Sequence, residues 1–301
     1  MENASIVVIG SSNTDMVIKA SKIPAPGETI LGGSFFMNAG GKGANQAVAA
    51  ARLGGQVSFI AKVGRDMFGK QATALFKQEG IDISGVLKDK IESSGIALIT
   101  VDERGENSIA VASGANARLM PNDVKKFREK IQSASILLMQ LETPVETILY
   151  ATQLARQGNV RVILNPAPAR PLPIDLLKSI SIITPNETEA ELLTGIAIVN
   201  RQSAEQAAVI LHEKGIETII ITLGSKGALL YQGGNFTLID APKVDAVDTT
   251  AAGDVFNGAL AVALAEGRSM ETAVSFASGA AAISVTRLGA QASAPYRNEL
   301  G

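Results

Sequence analysis

Residues 247–260, VDTTAAGDVFNGAL, place a carboxylate and a run of small residues at the start of an apolar helical stretch. The first backbone N–H groups of a helix have no partner within the helix, and they carry the positive end of its dipole. Because Ala251, Ala252 and Gly253 add almost no bulk, these N–H groups can surround an anion such as a phosphoryl group. Asp254 beside them could accept a proton from an attacking hydroxyl. On this stretch alone, a carboxylate that merely stabilises the helix N-terminus is an equally good interpretation.

A second segment suited to binding is NAGGKGANQA, residues 38–47, where a glycine-rich turn directly precedes a predicted helix. Glycines let the backbone approach a ligand closely. Gly41 and Asn45 are four residues apart and therefore share a helical face. Lys42 and Asn45 could then reach the hydroxyl groups of a small polar ligand. The alternative is an ordinary helix entry with a solvated Lys42.

Short polar side chains also follow the first predicted strand, in GSSNTDMV, residues 10–17. Loops at the carboxyl ends of parallel strands form the ligand crevices of open α/β sheets. Asn13 and Asp15 are therefore candidates for holding vicinal hydroxyl groups, although such residues are also ordinary turn formers.

Buried strands that alternate with amphipathic helices must position these groups. Runs rich in Val, Ile and Leu are typical of strands covered on both faces, and their alternation with helices predicts a mostly parallel, doubly wound α/β sheet. Residues 13–38 and 92–114 instead show short alternating strands without helices, which predict a small separate sheet serving as a lid on a single domain of residues 1–301. The predicted strands are 5–10, 57–64, 136–141, 160–168, 180–186 and 218–224, and the predicted helices include 41–54, 66–80 and one that begins at Pro144.

Composition excludes several functional classes. The chain has 301 residues and no cysteine, so disulfides and thiolate catalysis are excluded. Its formal net charge of -2 does not indicate a nucleic-acid surface. No apolar stretch is long enough to span a membrane and the start lacks signal-peptide features, so we expect a cytoplasmic protein. The P-loop-like GRDMFGKQ, residues 64–71, has Gln71 where a P-loop needs Ser or Thr, and a strand-to-helix turn is the better interpretation.

Taken together, four motifs resemble those of the ribokinase family of sugar kinases, also called the PfkB family, over nearly the whole chain. AGGKGANQAVAAARLG at 39–54 resembles the first family signature, and DTTAAGDVFNGAL at 248–260 resembles the second. TPNETEAE at 184–191 is similar to the family's Asn-x-x-Glu motif, and TLGSKG at 222–227 to its nucleotide-binding turn. The ribokinases are the branch of the family that the chain resembles most.

The resemblance implies a role for each matching residue. Asp254 would be the catalytic base and would also contact the sugar, with the anion hole at Ala251, Ala252 and Gly253. The remaining sugar-binding residues would be Asn13, Asp15, Gly41, Lys42, Asn45 and Glu142. The ATP site would contain Asn186, Thr222, Gly224, Gly227, Gly253 and Ser278. Glu189 would organise Mg²⁺, largely through water. A monovalent cation such as K⁺ would lie near Asp248, Thr250, Ser284, Arg287, Gly289 and Ser293, held mostly by main-chain carbonyls. Two positions depart from the family pattern: Ala251 replaces a frequent Gly, and Ser278 replaces a frequent Asn.

The reaction that the resemblance implies is transfer of the γ-phosphoryl group of ATP to O5 of D-ribose. It also implies a homodimer formed through the lid, whose outer face is apolar by alternation.

Two other hypotheses remain. One is a related family kinase acting on deoxyribose, fructose or a nucleoside, since a fold does not determine a substrate. The other is a non-catalytic sugar-binding protein.

Overall fold

The strands of the computed structural model, which describes residues 5–300, form two sheets. The larger sheet contains β1 (Ser5–Ile9), β4 (Gln56–Val63), β5 (Asp82–Lys88), β8 (Ile136–Met139), β9 (Arg161–Leu164), β10 (Ile182–Ile183), β11 (Thr218–Thr222), β12 (Ala228–Gln232) and β13 (Asn235–Ile239). The smaller sheet contains β2 (Asn13–Lys19), β3 (Ser34–Gly40), β6 (Gly95–Val101) and β7 (Asn107–Ala112). The α-helices are α1 (Lys42–Arg52), α2 (Met67–Gln78), α3 (Pro121–Val124), α4 (Arg128–Gln132), α5 (Val145–Gln157), α6 (Ile174–Leu177), α7 (Glu187–Thr194), α8 (Arg201–Glu213), α9 (Ala252–Ala265) and α10 (Met270–Ser284).

The strand order of the larger sheet is β13-β12-β11-β10-β9-β8-β1-β4-β5. Every pairing from β11 to β5 is parallel, and among the described strands of this sheet the two antiparallel pairings, β11–β12 and β12–β13, lie at one edge. The chain runs from β1 toward β5 on one side and from β8 toward β13 on the other. The order therefore reverses between β1 and β8, and ligands of open α/β sheets bind at such a point.

Apolar side chains cover both faces of this sheet, as the Val- and Ile-rich runs predict. Ile6 and Val8 point into a core formed with α1, α9 and α10. Val7 and Ile9 point into a second core formed with α5, α7 and α8. The predicted fold class, a mostly parallel sheet flanked by helices with a second small sheet, is confirmed. None of the helices within residues 5–300 is long and apolar enough to cross a membrane.

Several boundaries differ from the prediction. The strands predicted at 160–168 and 180–186 shrink to β9 and β10, because the prolines that follow them cannot donate ladder hydrogen bonds. Strands β5, β12 and β13 are additional. The predicted turn at 64–71 is present: Asp66 caps α2, its side chain accepting the Gly69 N–H at 2.8 Å.

Helices α1 and α9 lie in close contact because Gly258 has no side chain. A Cβ at this position would come within 2.8 Å of both the Ala49 Cβ and the Gln46 carbonyl oxygen. Any larger residue would push the helices apart, since real Cβ atoms do not approach other atoms so closely. This contact brings the N-terminal turns of the two helices together.

The smaller sheet has the order β3-β2-β6-β7 and lies within the two segments predicted to form the lid, except that β3 continues two residues beyond 38. Strand β2 begins at Asn13, four residues after the end of β1, so the small sheet starts at the reversal point of the large one. Asp15 is paired with Ala97, which is paired with Val111, and these side chains share one face. The opposite face, here called the outer apolar face, carries Met16, Ile18, Phe35, Met37 and Leu98, of which the last four are exposed.

Candidate active site

Asp254 lies in the first turn of α9 and is buried, with 5% of its surface exposed. Both carboxylate oxygens accept hydrogen bonds from α1: Oδ2 from the Asn45 side-chain N–H at 2.9 Å, and Oδ1 from that of Gln46 at 2.9 Å. Burial raises the pKa of Asp254, while the nearby Lys42 ammonium and the two amides act to lower it. Asp254 is thus a buried carboxylate held by neutral donors.

The turn before α9 presents backbone N–H groups next to this carboxylate. Ala251 has a left-handed backbone with φ 60° and ψ 11°, a conformation that favours glycine. The Ala252 N–H donates to the Thr249 carbonyl, whereas those of Gly253 and Asp254 make no hydrogen bond within residues 5–300. A Cβ on Gly253 would meet no atom of residues 5–300 within 4 Å, so the space above these donors is open in the described part of the chain. An anion could be accommodated there.

Carboxylates from four parts of the chain surround Lys42, which begins α1. Burial acts to lower the pKa of Lys42, but Asp254, Glu142, Glu189 and Asp15 outweigh it and raise the pKa. Glu142, which follows β8, accepts hydrogen bonds from the Lys42 backbone N–H at 3.0 Å and from the Ser11 hydroxyl. The Ser11–Glu142 bond joins the loops after β1 and β8, where the strand order reverses.

Asp15, on β2, is also destabilised as an anion in this group. Burial raises its pKa to about 6, and the neighbouring Glu142 and Asp254 carboxylates add to the effect, although Lys42 acts against it. Without a ligand, the Asp15 carboxyl group is about half protonated near pH 6. It can still form strong hydrogen bonds with a polar ligand.

Asn13 has a defined orientation because of a neighbour that the sequence analysis missed. The Asn116 side-chain N–H donates to the Asn13 Oδ1 at 2.8 Å, and the Asn116 Oδ1 accepts the Ser12 N–H at 2.9 Å. The Asn13 Nδ2 is thereby left as a donor. No sequence motif indicates Asn116, since its partners lie about a hundred residues earlier in the chain.

The predicted nucleotide residues lie at the ends of β10 and β11. Asn186 and Thr222 form an isolated parallel bridge that extends this pair of strands. Asn186 also begins α7 in a reciprocal cap with Glu189: the Asn186 Oδ1 accepts the Glu189 N–H at 2.8 Å, and the Glu189 Oε2 accepts the Asn186 N–H at 2.9 Å. The positive-φ residues Gly224 and Gly227 form the turn after β11. Ser278 lies apart on α10, which packs against β12 and β13.

The predicted cation residues form two connected loops beside the start of α9. Asp248 accepts the Thr250 N–H and the Gly289 N–H, each at 2.9 Å. The Ser284 and Ser293 hydroxyls donate to carbonyls of their own turns, and the Arg287 guanidinium pairs with Glu299. Within residues 5–300, no group of three or more His, Cys, Asp or Glu side chains could hold a metal ion. A cation at these loops would therefore depend mainly on carbonyl oxygens.

The sequence model of the pfkB family carbohydrate kinases matches residues 3–297. The chain belongs to this family. It is 49% identical to the ribokinase of Haemophilus influenzae over 98% of this chain and 96% of that protein, and 38% identical to the deoxyribokinase of Salmonella typhi over 96% and 95%. The structure of Arabidopsis thaliana ribokinase complexed with ribose and ATP matches with a TM-score of 0.93 and 34% identity, over 98% of this chain and 96% of that one. The protein is thus a sugar kinase.

The structure also brings together polar groups of this kinase that no motif indicated. Gln140, Asn165 and Thr184 each directly follow a strand, namely β8, β9 and β10. Their position after a buried strand was the available signal, because side chains at the carboxyl edge of the sheet converge on the site.

We expect Asp15→Asn to raise the melting temperature by about 3–6 °C at pH 8, because it removes a buried charge. The pKa of Asp15 is about 6 in the folded protein, above its value in the unfolded chain. At pH values between the unfolded and the folded pKa, folding therefore takes up a proton. The free-energy cost of burying the charged carboxylate is fully present only above the folded pKa. At pH 5 the gain should fall to about half.

Thermal unfolding of both proteins at the two pH values, without ligands, measures this effect. Asp245→Asn, the same change at an exposed loop position, is the matched control and should leave the melting temperature almost unchanged. A gain that is equal at pH 5 and pH 8, or a loss at both, would contradict the assignment.

Proposed function

We propose that the protein transfers the γ-phosphoryl group of ATP to O5 of D-ribose, producing D-ribose 5-phosphate and ADP. The observation that carries the proposal is the buried Asp254 carboxylate, which lies beside the open backbone N–H groups of Gly253 and Asp254. A base next to an anion site is what phosphoryl transfer to a hydroxyl requires. The ribokinase relatives over the full chain support ribose as the acceptor.

In this reaction Asp254 would orient the O5 hydroxyl and take its proton as the new P–O bond forms. Its raised pKa makes it a better proton acceptor than an exposed aspartate. The N–H groups at the start of α9 would stabilise the charge on the transferring phosphoryl, which is the larger part of catalysis in such reactions.

The acceptor site is suited to a small polyhydroxylated molecule. The Asn45 Oδ1 is buried and has no hydrogen-bond partner among the described residues 5–300, so a ligand hydroxyl could donate to it. The Asn13 Nδ2 is a donor, because Asn116 occupies the Asn13 Oδ1. Asp15 and Glu142 supply further acceptors, and Lys42 supplies a cation. A furanose sugar, which carries several hydroxyls that both donate and accept, matches this mixture.

The ATP site would extend from the start of α9 to the turn after β11, with Asn186, Thr222, Gly224 and Gly227 along it and Ser278 at the adenine end. Mg²⁺ would neutralise phosphate charge. Glu189 would act with it, and since no group of three or more His, Cys, Asp or Glu side chains within residues 5–300 could hold a metal ion, most other ligands would be phosphate oxygens and water. Because the reaction requires ATP, we expect it to take place in the cytoplasm.

The small sheet would act as a lid on the acceptor site, since it carries Asn13 and Asp15 on one face. Closure would exclude water, which otherwise competes with the sugar as acceptor.

The outer apolar face, with Phe35 59% and Leu98 56% exposed, supports a homodimer in which two such faces pack together. Sedimentation velocity would detect the dimer, and a monomer in both wild type and Phe35→Ser would contradict it.

We expect D-ribose to have the highest kcat/KM in a panel of ribose, deoxyribose, fructose and nucleosides. Coupled measurement of ADP release tests this expectation. A higher value for deoxyribose or fructose would leave the kinase reaction in place and change its substrate. No ADP release with any acceptor, together with measurable sugar binding, would instead favour the non-catalytic sugar-binding hypothesis.

We expect Asp254→Asn to reduce kcat by about 10²–10⁴-fold, since the amide cannot accept the proton. Ribose and ATP should still bind within about tenfold of wild type. The structure can accommodate the new NH₂ group, because Asn45 has an unpartnered Oδ1 and can flip to accept from it. Isothermal calorimetry and steady-state kinetics measure these quantities, with Asp245→Asn as control. Turnover within about threefold of wild type would end the assignment of Asp254 as base.

We expect K⁺ to raise kcat. The loops that carry Asp248 and Gly289 meet directly before α9, so a cation bound to their carbonyls would stabilise the turn that presents the phosphoryl-binding N–H groups. Rates in K⁺ and in a large organic cation are compared at matched ionic strength. Equal rates would contradict a monovalent-cation site.

A further inference from the structure

A chain of buried side-chain hydrogen bonds starts at Asp254 and runs through Gln46 to residues at the carboxyl edge of the larger sheet. The Gln46 Nε2 donates to the Asp254 Oδ1 at 2.9 Å and to the Asn165 Oδ1 at 3.1 Å. The Gln46 Oε1 accepts the Gln140 Nε2 at 2.5 Å. Gln46 is fully buried, and all its donor and acceptor atoms are engaged. The Asp254 carboxylate fixes the orientation of this amide, because a flip would set the Gln46 oxygen against the carboxylate.

The other amide that holds Asp254 is less constrained. The Asn45 Nδ2 donates to the Asp254 Oδ2, but the Asn45 Oδ1 has no partner within residues 5–300. Among the described residues, further side chains therefore hold the Gln46 contact to the carboxylate but not the Asn45 contact. The orientation of Asp254 therefore depends mainly on Gln46.

The same chain of bonds continues to the anion site. The Asn165 Nδ2 donates to the Thr184 carbonyl at 3.3 Å, and the Thr184 hydroxyl donates to the Asn257 Oδ1 at 2.7 Å. The Asn257 Nδ2 then donates to the Gly253 carbonyl at 2.8 Å. Since Gln140, Asn165 and Thr184 follow β8, β9 and β10, the rigid sheet edge holds both Asp254 and the first turn of α9.

We propose that Gln46 is a positioning residue that acts solely through Asp254. It holds the carboxylate so that a free lone pair faces the acceptor hydroxyl. This inference rests on the proposed role of Asp254 as base. Nothing in the arrangement requires Gln46 to contact the sugar or ATP, because both its donors and its acceptor are already occupied by protein atoms. Its loss should affect the rate of the chemical step and not substrate binding.

The first test is Gln46→Met, which keeps the length of the side chain and removes all three bonds. We expect kcat to fall by about 10–100-fold, because a small displacement of a reacting group has an effect of this size. The KM and calorimetric Kd values of ribose and ATP should stay within about threefold. Gln140→Met, which removes the bond behind Gln46 without touching Asp254, should give a smaller fall in kcat, of about 3–10-fold, again at unchanged KM.

Thr147→Val is the control for general destabilisation. Thr147 lies on α5, against the core on the other face of the sheet. Its hydroxyl donates to the Leu119 carbonyl at 2.6 Å. Its loss should lower the melting temperature while kcat stays at the wild-type value. If Gln46→Met does not fold, the same comparison of kcat with KM is made with Gln140→Met.

A double-mutant cycle with Asp254→Asn is decisive. If Gln46 acts only through the Asp254 carboxylate, adding Gln46→Met to Asp254→Asn should change kcat by less than about twofold. A further fall by the full single-variant factor, or wild-type kcat in Gln46→Met and Gln140→Met, would overturn the inference and leave the proposed function standing. Wild-type turnover in Asp254→Asn would overturn both the base assignment and this inference. A wild-type protein that phosphorylates no sugar would overturn the proposed function.

Discussion

The burial of the Asp254 carboxylate is the constraint on which the rest of the site depends. A buried charge is costly unless hydrogen bonds and a nearby opposite charge compensate it. Asn45 and Gln46 provide the bonds, and Lys42 provides the charge. All three lie in the first turns of α1, so α1 must lie directly against α9. Gly258 permits that contact, since a Cβ there would collide with the backbone of α1.

The reversal of strand order between β1 and β8 gathers the remaining polar groups. The loop after β1 leads into β2 and carries Asp15, while the loop after β8 carries Glu142. Burial raises the pKa of Asp15, and the nearby Glu142 and Asp254 carboxylates raise it further, so the unliganded site is electrostatically unfavourable. A polar ligand that supplies hydroxyl donors would relieve this repulsion. The same arrangement that costs stability thus favours binding.

The elements of the larger sheet were largely predictable because their signals are local. Runs such as SIVVIG and TIIITLG form strands buried on both faces, and Asp66 caps α2 as its position indicates. The lengths of β9 and β10 depended on the prolines after them. The β12–β13 hairpin was missed because it is antiparallel and has no helix between its strands, so it breaks the strand–helix alternation on which the prediction was based.

The sequence by itself determined which residue types were available for phosphoryl transfer: the small residues and carboxylate of 248–254, the glycine turn of 38–47 and the Asn-x-x-Glu pair at Asn186. Each of these signals lies within a short segment, because helix N-termini and capping pairs are formed by residues close together in the sequence. Only the tertiary structure decided which distant groups control them. Gln46 and Asp254 are 208 residues apart, and Asn116 and Asn13 are 103 apart. Such pairings arise from the packing of helices and strand ends in space, and a single sequence carries no local pattern that reports them.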